Sequence, residues 1–92
     1  MEEITVKLFA SLRKYAEKES LGLIEMNVDE GSDIEAIVSA LGIPKARVKM
    51  IMKNGSVAAF KDVVKKGDRI ALFPPEVAFN LYVALNFRED LR

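Results

Sequence analysis

The side chains that most often carry out catalysis are absent or scattered in this sequence. Its 92 residues include no cysteine and no histidine. This excludes thiolate nucleophiles, disulfides, imidazole acid–base catalysis and the usual structural zinc sites. Ser11, Lys14 and Glu17 have reactive side chains, but nothing in the sequence organises them into a catalytic group, and no glycine-rich phosphate loop or metal-ligand spacing is present. We therefore predict no catalytic residues, no enzymatic activity, no metal and no cofactor.

Charge and hydropathy narrow the class of protein further. Fourteen Lys and Arg residues balance fourteen Asp and Glu residues, so the chain lacks the basic excess with which nucleic-acid binders displace phosphate counterions. The apolar runs are far shorter than the ~20 residues that span a bilayer. The acidic start Met1-Glu2-Glu3 is unlike a signal peptide. We expect a cytoplasmic protein that binds neither nucleic acid nor membrane.

Hydrophobic periodicity predicts one main helix, which must position whatever site exists. Ser32-Asp33-Ile34-Glu35 reads as a capping box, with Ser32 as the N-cap residue and Glu35 bonding back to it. An apolar stripe at i, i+3, i+4 and i+7 follows, and Gly42 stands where a helix usually ends. A shorter helix is predicted around residues 12–16.

Five strands are predicted along the sequence, two before this helix and three after it. Period-two alternation marks residues 4–10 as the first strand, and Asn54-Gly55 is a strong signal for a two-residue hairpin turn. The remaining strands are predicted at residues 23–28, 48–53, 56–59 and 69–73. This order suits an α+β fold in which a mixed sheet wraps over one helix, the ubiquitin-like β-grasp arrangement.

The most specific motif follows the last predicted strand. A turn at Lys66-Gly67-Asp68 leads through that strand into Phe73-Pro74-Pro75. Three further landmarks accompany it: Leu12-Arg13-Lys14-Tyr15-Ala16, Leu41-Gly42-Ile43-Pro44 and Lys53-Asn54-Gly55. Together they resemble the small subunit of molybdopterin synthase and, more distantly, the sulfur carrier of the thiamine pathway. The resemblance covers residues 4–75.

The resemblance implies a role in molybdenum or tungsten cofactor biosynthesis. In that family an E1-like adenylyltransferase activates a C-terminal glycine, sulfur converts it to a thiocarboxylate, and the tail delivers the sulfur to the large subunit of the synthase. Both proteins are therefore expected partners. We expect Phe73, Pro74 and Pro75 to dock against a partner.

The sequence departs from the family after Pro75. Glu76-Val77-Ala78-Phe79 stands where the family has Gly-Gly, and residues 68–92 contain no glycine. Side chains such as Val77 and Phe79 would not follow the narrow path that glycine permits. We therefore predict that the chain as it stands does not form a thiocarboxylate. The alternative function is a non-covalent protein-interaction or assembly module.

Residues 1–75 are predicted to form the β-grasp domain, and residues 76–92 a C-terminal extension. The extension has the longest period-two pattern in the chain. One interpretation is an extra strand of the same molecule; a second is a strand exchanged with another copy in a homo-oligomer; a third is capture of a partner sheet. A helix or a frameshifted tail also remains open. The alternating apolar residues are Val77, Phe79, Leu81, Val83, Leu85 and Phe87.

Overall fold

The computed structural model describes residues 1–77 and contains a five-stranded sheet with one α-helix. The strands are β1 (Glu2–Leu8), β2 (Leu23–Val28), β3 (Met50–Lys53), β4 (Ser56–Ala58) and β5 (Arg69–Phe73), and the helix is α1 (Ile34–Ala40). In space the strand order is β2-β1-β5-β3-β4. The central pair, β1 and β5, is parallel, and the other neighbours are antiparallel. This mixed sheet with its single helix confirms the predicted β-grasp fold.

Short 3₁₀ helices complete the described part of the chain, at Ala10–Tyr15, Lys18–Ser20 and Lys45–Arg47. The first confirms the short helix predicted around residues 12–16; it is a 3₁₀ helix and begins two residues earlier. Within residues 1–77 no helix is long and apolar enough to cross a membrane. Five of the predicted extension contacts lie outside the described residues: Phe79, Leu81, Val83, Leu85 and Phe87.

The main core lies between α1 and one face of the sheet. Alternation along β1 sends Ile4, Val6 and Leu8 into this core, and each is at most 1 % exposed. Ile34, Ile37 and Val38 of α1 belong to the same cluster. Burial of several aliphatic side chains at about 1.5–3 kcal/mol each is what offsets the entropy of ordering so short a chain.

The N-terminus of α1 differs from the predicted capping box. Asp33, rather than Ser32, is the N-cap residue, and its Oδ1 accepts from the N–H of Ala36 at 2.8 Å. The Ser32 hydroxyl instead donates to the carbonyl oxygen of Asp29 at 2.7 Å. The Glu35 N–H donates to the carbonyl oxygen of Phe60 instead of to the Ser32 hydroxyl. The Glu35 carboxylate pairs with Lys45 and Lys61 instead of bonding back to Ser32. The connection before β5 therefore provides acceptors that the local sequence did not reveal.

The predicted hairpin turn between β3 and β4 is confirmed. Asn54 and Gly55 both have positive φ, at 53° and 86°, as a two-residue hairpin turn requires. The Asn54 side chain also links this turn to the start of β5, since its Nδ2 donates to Asp68 Oδ1 and its Oδ1 accepts from the N–H of Arg69, both at 2.9 Å. The turn thus fixes the position of β5 as well as the register of its own hairpin.

Candidate docking face

The sheet face opposite α1 is not covered by that helix, and we call it the open face. Alternation places Thr5 and Lys7 of β1 on this face, with Leu23 of β2 beside Lys7 in the pairing register. Ala71 of β5 and Met52 of β3 are also a register pair on it. An antiparallel sheet often leaves such a face to water. Here its centre is apolar, which is the first indication of a contact surface.

Two aromatic side chains form the centre of the open face. The rings of Phe9 and Phe73 are stacked, with centroids 4.4 Å apart and an interplanar angle of 17°. Phe9 follows β1, and its N–H donates to the carbonyl oxygen of Leu72 at 3.2 Å, so β5 holds both rings in place. Phe9 is half-buried and Phe73 is buried, so Phe9 presents the accessible part of the stack, and a ring that is fixed in this way has little entropy left to lose on binding.

A shallow groove of about 420 Å³ runs beside these rings. Lys7 and Arg69 are the only charged residues among those that line it in the described part of the chain. The Lys7 Nζ lies 5.9 Å from the centroid of the Phe9 ring. An apolar floor with a cationic rim is complementary to a partner segment that carries apolar side chains and carboxylates. The lining residues are Thr5, Lys7, Phe9, Leu23, Met52, Gly55, Arg69, Ile70, Ala71 and Phe73.

The three residues predicted to dock a partner are not equally accessible. Phe73 is only 7 % exposed and Pro74 less than 2 %, whereas Pro75 is exposed. Met50, which pairs with Phe73, is 2 % exposed although it lies on the open face. Such burial on a face without a helix requires another covering segment. The docking role of Phe73, Pro74 and Pro75 stays a prediction.

The covering segment includes a turn at residues 74–77, which we call the 74–77 turn. The Val77 N–H donates to the carbonyl oxygen of Pro74 at 3.1 Å, and residues 75–77 are helical. The Val77 side chain is half-buried against the cluster formed by Met50 and Phe73. The predicted contact residue Val77 is therefore buried against its own domain in a helical turn, while its predicted strand exchange stays untested.

Polar contacts hold the same turn at its other side. Glu76 Oε2 accepts from the N–H of Ser11 at 3.4 Å, and the Arg47 guanidinium donates to the Ser11 hydroxyl at 3.0 Å. Hydrogen bonding by Ser11, with a smaller contribution from the charge of Arg47, lowers the pKa of Glu76. A long-range contact across 65 positions thus connects the end of β5 to the 3₁₀ helix after β1.

The reactive residues noted in the sequence do not assemble into a catalytic site. The Ser11 hydroxyl accepts from Arg47, and the Lys14 Nζ lies over the Tyr15 ring at 5.4 Å. Within residues 1–77 no three His, Cys, Asp or Glu side chains are grouped as they would be to hold a metal ion. The sequence did not lead us to place Phe9 in the aromatic stack on the open face. The available signal was an aromatic residue at a polar position of the β1 alternation.

Comparison with known proteins agrees with this fold. A family model described as Mut7-C ubiquitin matches residues 1–80. No curated protein gives a significant match. A structure of SAMP1 from Haloferax volcanii is 28 % identical, covers 79 % of this chain and 94 % of its own, and has a TM-score of 0.61. A putative molybdopterin converting factor, subunit 1, from Pyrococcus furiosus is 19 % identical, covers 82 % of this chain and 99 % of its own, and has a TM-score of 0.64.

These similarities confirm the resemblance drawn from the Phe73-Pro74-Pro75 motif at the level of family and fold. The matched region includes the whole sheet, α1 and the 74–77 turn, so it contains every residue of the open face. The chain belongs to the Mut7-C ubiquitin family and has the ubiquitin-like β-grasp fold.

Proposed function

We propose that this protein works by docking other proteins through its open face and does not catalyse a reaction itself. The observation that carries the proposal is the stacked Phe9–Phe73 pair beside a groove with a cationic rim. The expected partners are an E1-like adenylyltransferase and the large subunit of molybdopterin synthase. This would place the protein in molybdenum or tungsten cofactor biosynthesis. A cytoplasmic location stays a prediction from the sequence.

Docking can be tested with one substitution on each face of the sheet. Ala71→Asp puts a carboxylate in the centre of the groove beside Lys7, where it would neutralise a cation that a partner carboxylate is expected to use and would be desolvated by a docked apolar segment. Ala36→Asp introduces the same side chain at an exposed position in the first turn of α1, away from the groove. We expect Ala71→Asp to weaken binding of the E1-like adenylyltransferase by about 10-fold or more in calorimetry, and Ala36→Asp to leave it unchanged. Equal binding by both variants would refute the proposal.

The covalent step needs a separate measurement. The full chain is incubated with ATP, the E1-like adenylyltransferase and a sulfur donor, and its intact mass is recorded. We expect no thiocarboxylate mass shift, because no glycine follows Gly67 in the sequence. A shift would show that sulfur transfer occurs despite the replaced tail, and the docking proposal would then extend to a carrier function.

A second candidate function is a non-covalent assembly module that uses the C-terminal extension. The packing of Val77 on Met50 and Phe73 favours it, because Val77, one of the two described residues of the extension, already contributes an apolar contact. The test compares the full chain with a Leu81→Ser, Leu85→Ser double variant by light scattering. A larger mass for the unmodified chain that falls to the monomer value in the variant supports assembly. Equal masses would exclude oligomerisation through these residues.

A further inference from the structure

The apolar centre of the open face is already covered, in part, by the chain itself. Val77 packs against the cluster of Met50 and Phe73, which are 2 % and 7 % exposed. A partner that contacts the ring of Phe73 must reach a surface that the 74–77 turn now covers. We infer that the 74–77 turn is an autoinhibitory clasp that has to open before a partner can use the Phe73 end of the open face.

The contacts of the turn suit a reversible element. Beyond Pro74, which is buried at the end of β5, its apolar contact is the half-buried Val77. Its polar contact is the 3.4 Å hydrogen bond from the Ser11 N–H to Glu76, and the Ser11 hydroxyl accepts from Arg47 at 3.0 Å. Half the burial of a valine corresponds to a factor of about 3–10 in an opening equilibrium. An exposed polar contact adds little to this. Opening therefore costs far less than unfolding the sheet.

The position of the turn explains why opening would leave the fold intact. Met50, Phe73 and Val77 belong to a cluster separate from the main core between α1 and the sheet. Loss of the Val77 contact removes nothing from that core. It uncovers Phe73 and Met50 next to the groove, so the accessible apolar surface becomes larger and continuous with the docking face. Inhibition of partner binding rests on the proposed function, whereas the clasp itself does not.

The clasp itself can be tested without a partner. Val77→Ser removes the apolar contact, and Val57→Ser makes the same change at a residue of β4 that is 56 % exposed. Val57 pairs with Met52 and so lies on the same face, but it is not part of the Met50–Phe73 cluster. The probe is the apolar anionic dye anilinonaphthalene sulfonate, which suits a groove rimmed by lysine and arginine. Amide exchange at residues 11 and 77 is followed by NMR, each rate being divided by the intrinsic rate of the residue present.

We expect Val77→Ser to raise dye fluorescence several-fold and to speed exchange of both amides by about 3- to 10-fold, with unchanged values in Val57→Ser. Melting curves establish that both variants are folded at the assay temperature. If the Val77 variant is unstable, Glu76→Ala with Glu19→Ala as its control removes the acceptor of the Ser11 N–H and tests the polar contact through faster exchange of Ser11. Identical behaviour of variant and control in these measurements overturns the inference.

A partner arm separates the clasp from the proposed function. If both are correct, Val77→Ser binds the E1-like adenylyltransferase about 3- to 10-fold more tightly than the unmodified chain. If neither the Val77→Ser variant nor the unmodified chain binds the adenylyltransferase, while the dye and exchange results are as expected, the proposed partner is wrong and the clasp is retained. If binding is unchanged although the clasp opens, the partner does not use the Phe73 end of the face, and autoinhibition is refuted.

Discussion

Gly22 offers the sharpest test of how the sequence positions the docking face. It has a φ of 87°, and a Cβ at this position would lie 2.3 Å from the carbonyl oxygen of Leu8. Its own carbonyl oxygen accepts from the Leu8 N–H at 2.8 Å. Leu8 directly precedes Phe9, so this close approach of two backbones helps to set one ring of the aromatic stack.

The magnitude follows from these two contacts. Placing alanine in the left-handed region costs about 1–2 kcal/mol. The overlap with Leu8 must then be relieved by moving backbone, which strains or breaks a buried hydrogen bond worth about 1–3 kcal/mol when left unmade. We expect Gly22→Ala to lower the free energy of unfolding by roughly 2–5 kcal/mol.

Gly31→Ala is the matched control, because Gly31 has nearly the same φ, 86°, and no atom within 4 Å of the added Cβ. It should cost only the conformational term, about 1–2 kcal/mol. Urea denaturation measures both values, and thermal melting should separate them because 1 kcal/mol corresponds to about 4–8 °C in a domain of this size. Equal destabilisation by the two variants would refute the steric part of the reasoning.

Two further predictions concern local hydrogen bonds outside the docking face. Asp33→Ala should cost about 0.5–2 kcal/mol in urea denaturation because it removes the helix cap, and it should cost more than Ser32→Ala; the reverse order would restore the capping box read from the sequence. Asn54→Ala should cost about 1–3 kcal/mol because both of its side-chain hydrogen bonds are lost and alanine is less favourable than asparagine at positive φ. Partial burial raises the pKa of Asp68, but the hydrogen bond from Asn54 helps to bring that pKa below its ordinary value of 3.8. The ionised Asp68 carboxylate therefore stabilises the folded state above about pH 4. This stabilisation is lost as pH falls through the lowered pKa. The Asn54 variant should therefore lose less stability between pH 5 and pH 3 than the unmodified chain, and parallel pH curves would contradict this.

Much of the fold could be predicted because its signals are local. The period of two along β1 follows from the pleat of a strand, whichever partner the strand meets. Asn54-Gly55 predicts its hairpin because few residues tolerate positive φ at both central positions. The apolar stripe of α1 predicts its buried face, because residues at i, i+3, i+4 and i+7 lie on one side of an α-helix. Such patterns determine each element before any tertiary contact is made.

The N-cap of α1 shows where local reasoning stops. Ser32 and Asp33 are both good capping residues, and the sequence alone favoured Ser32 because of Glu35 three positions later. The structure has the carbonyl oxygen of Phe60 accepting from the Glu35 N–H at 2.9 Å. An acceptor brought in from 25 positions away satisfies the donor that the capping box would have used. The N-cap residue therefore depends on which oxygen atoms accept from the first N–H groups of α1, and only the tertiary structure determines which acceptors lie there.

The sequence by itself determined the strands, the helix, the tight turns and the family to which Phe73-Pro74-Pro75 belongs. The tertiary structure alone decided that Phe9 stacks on Phe73, and that Phe73 and Pro74 are buried instead of exposed. The physical reason is separation along the chain. Ser11 and Glu76 are 65 positions apart, and no periodic pattern encodes a contact over such a distance. The open face is therefore a product of the parallel pairing of β1 with β5, which brings the two ends of the domain together.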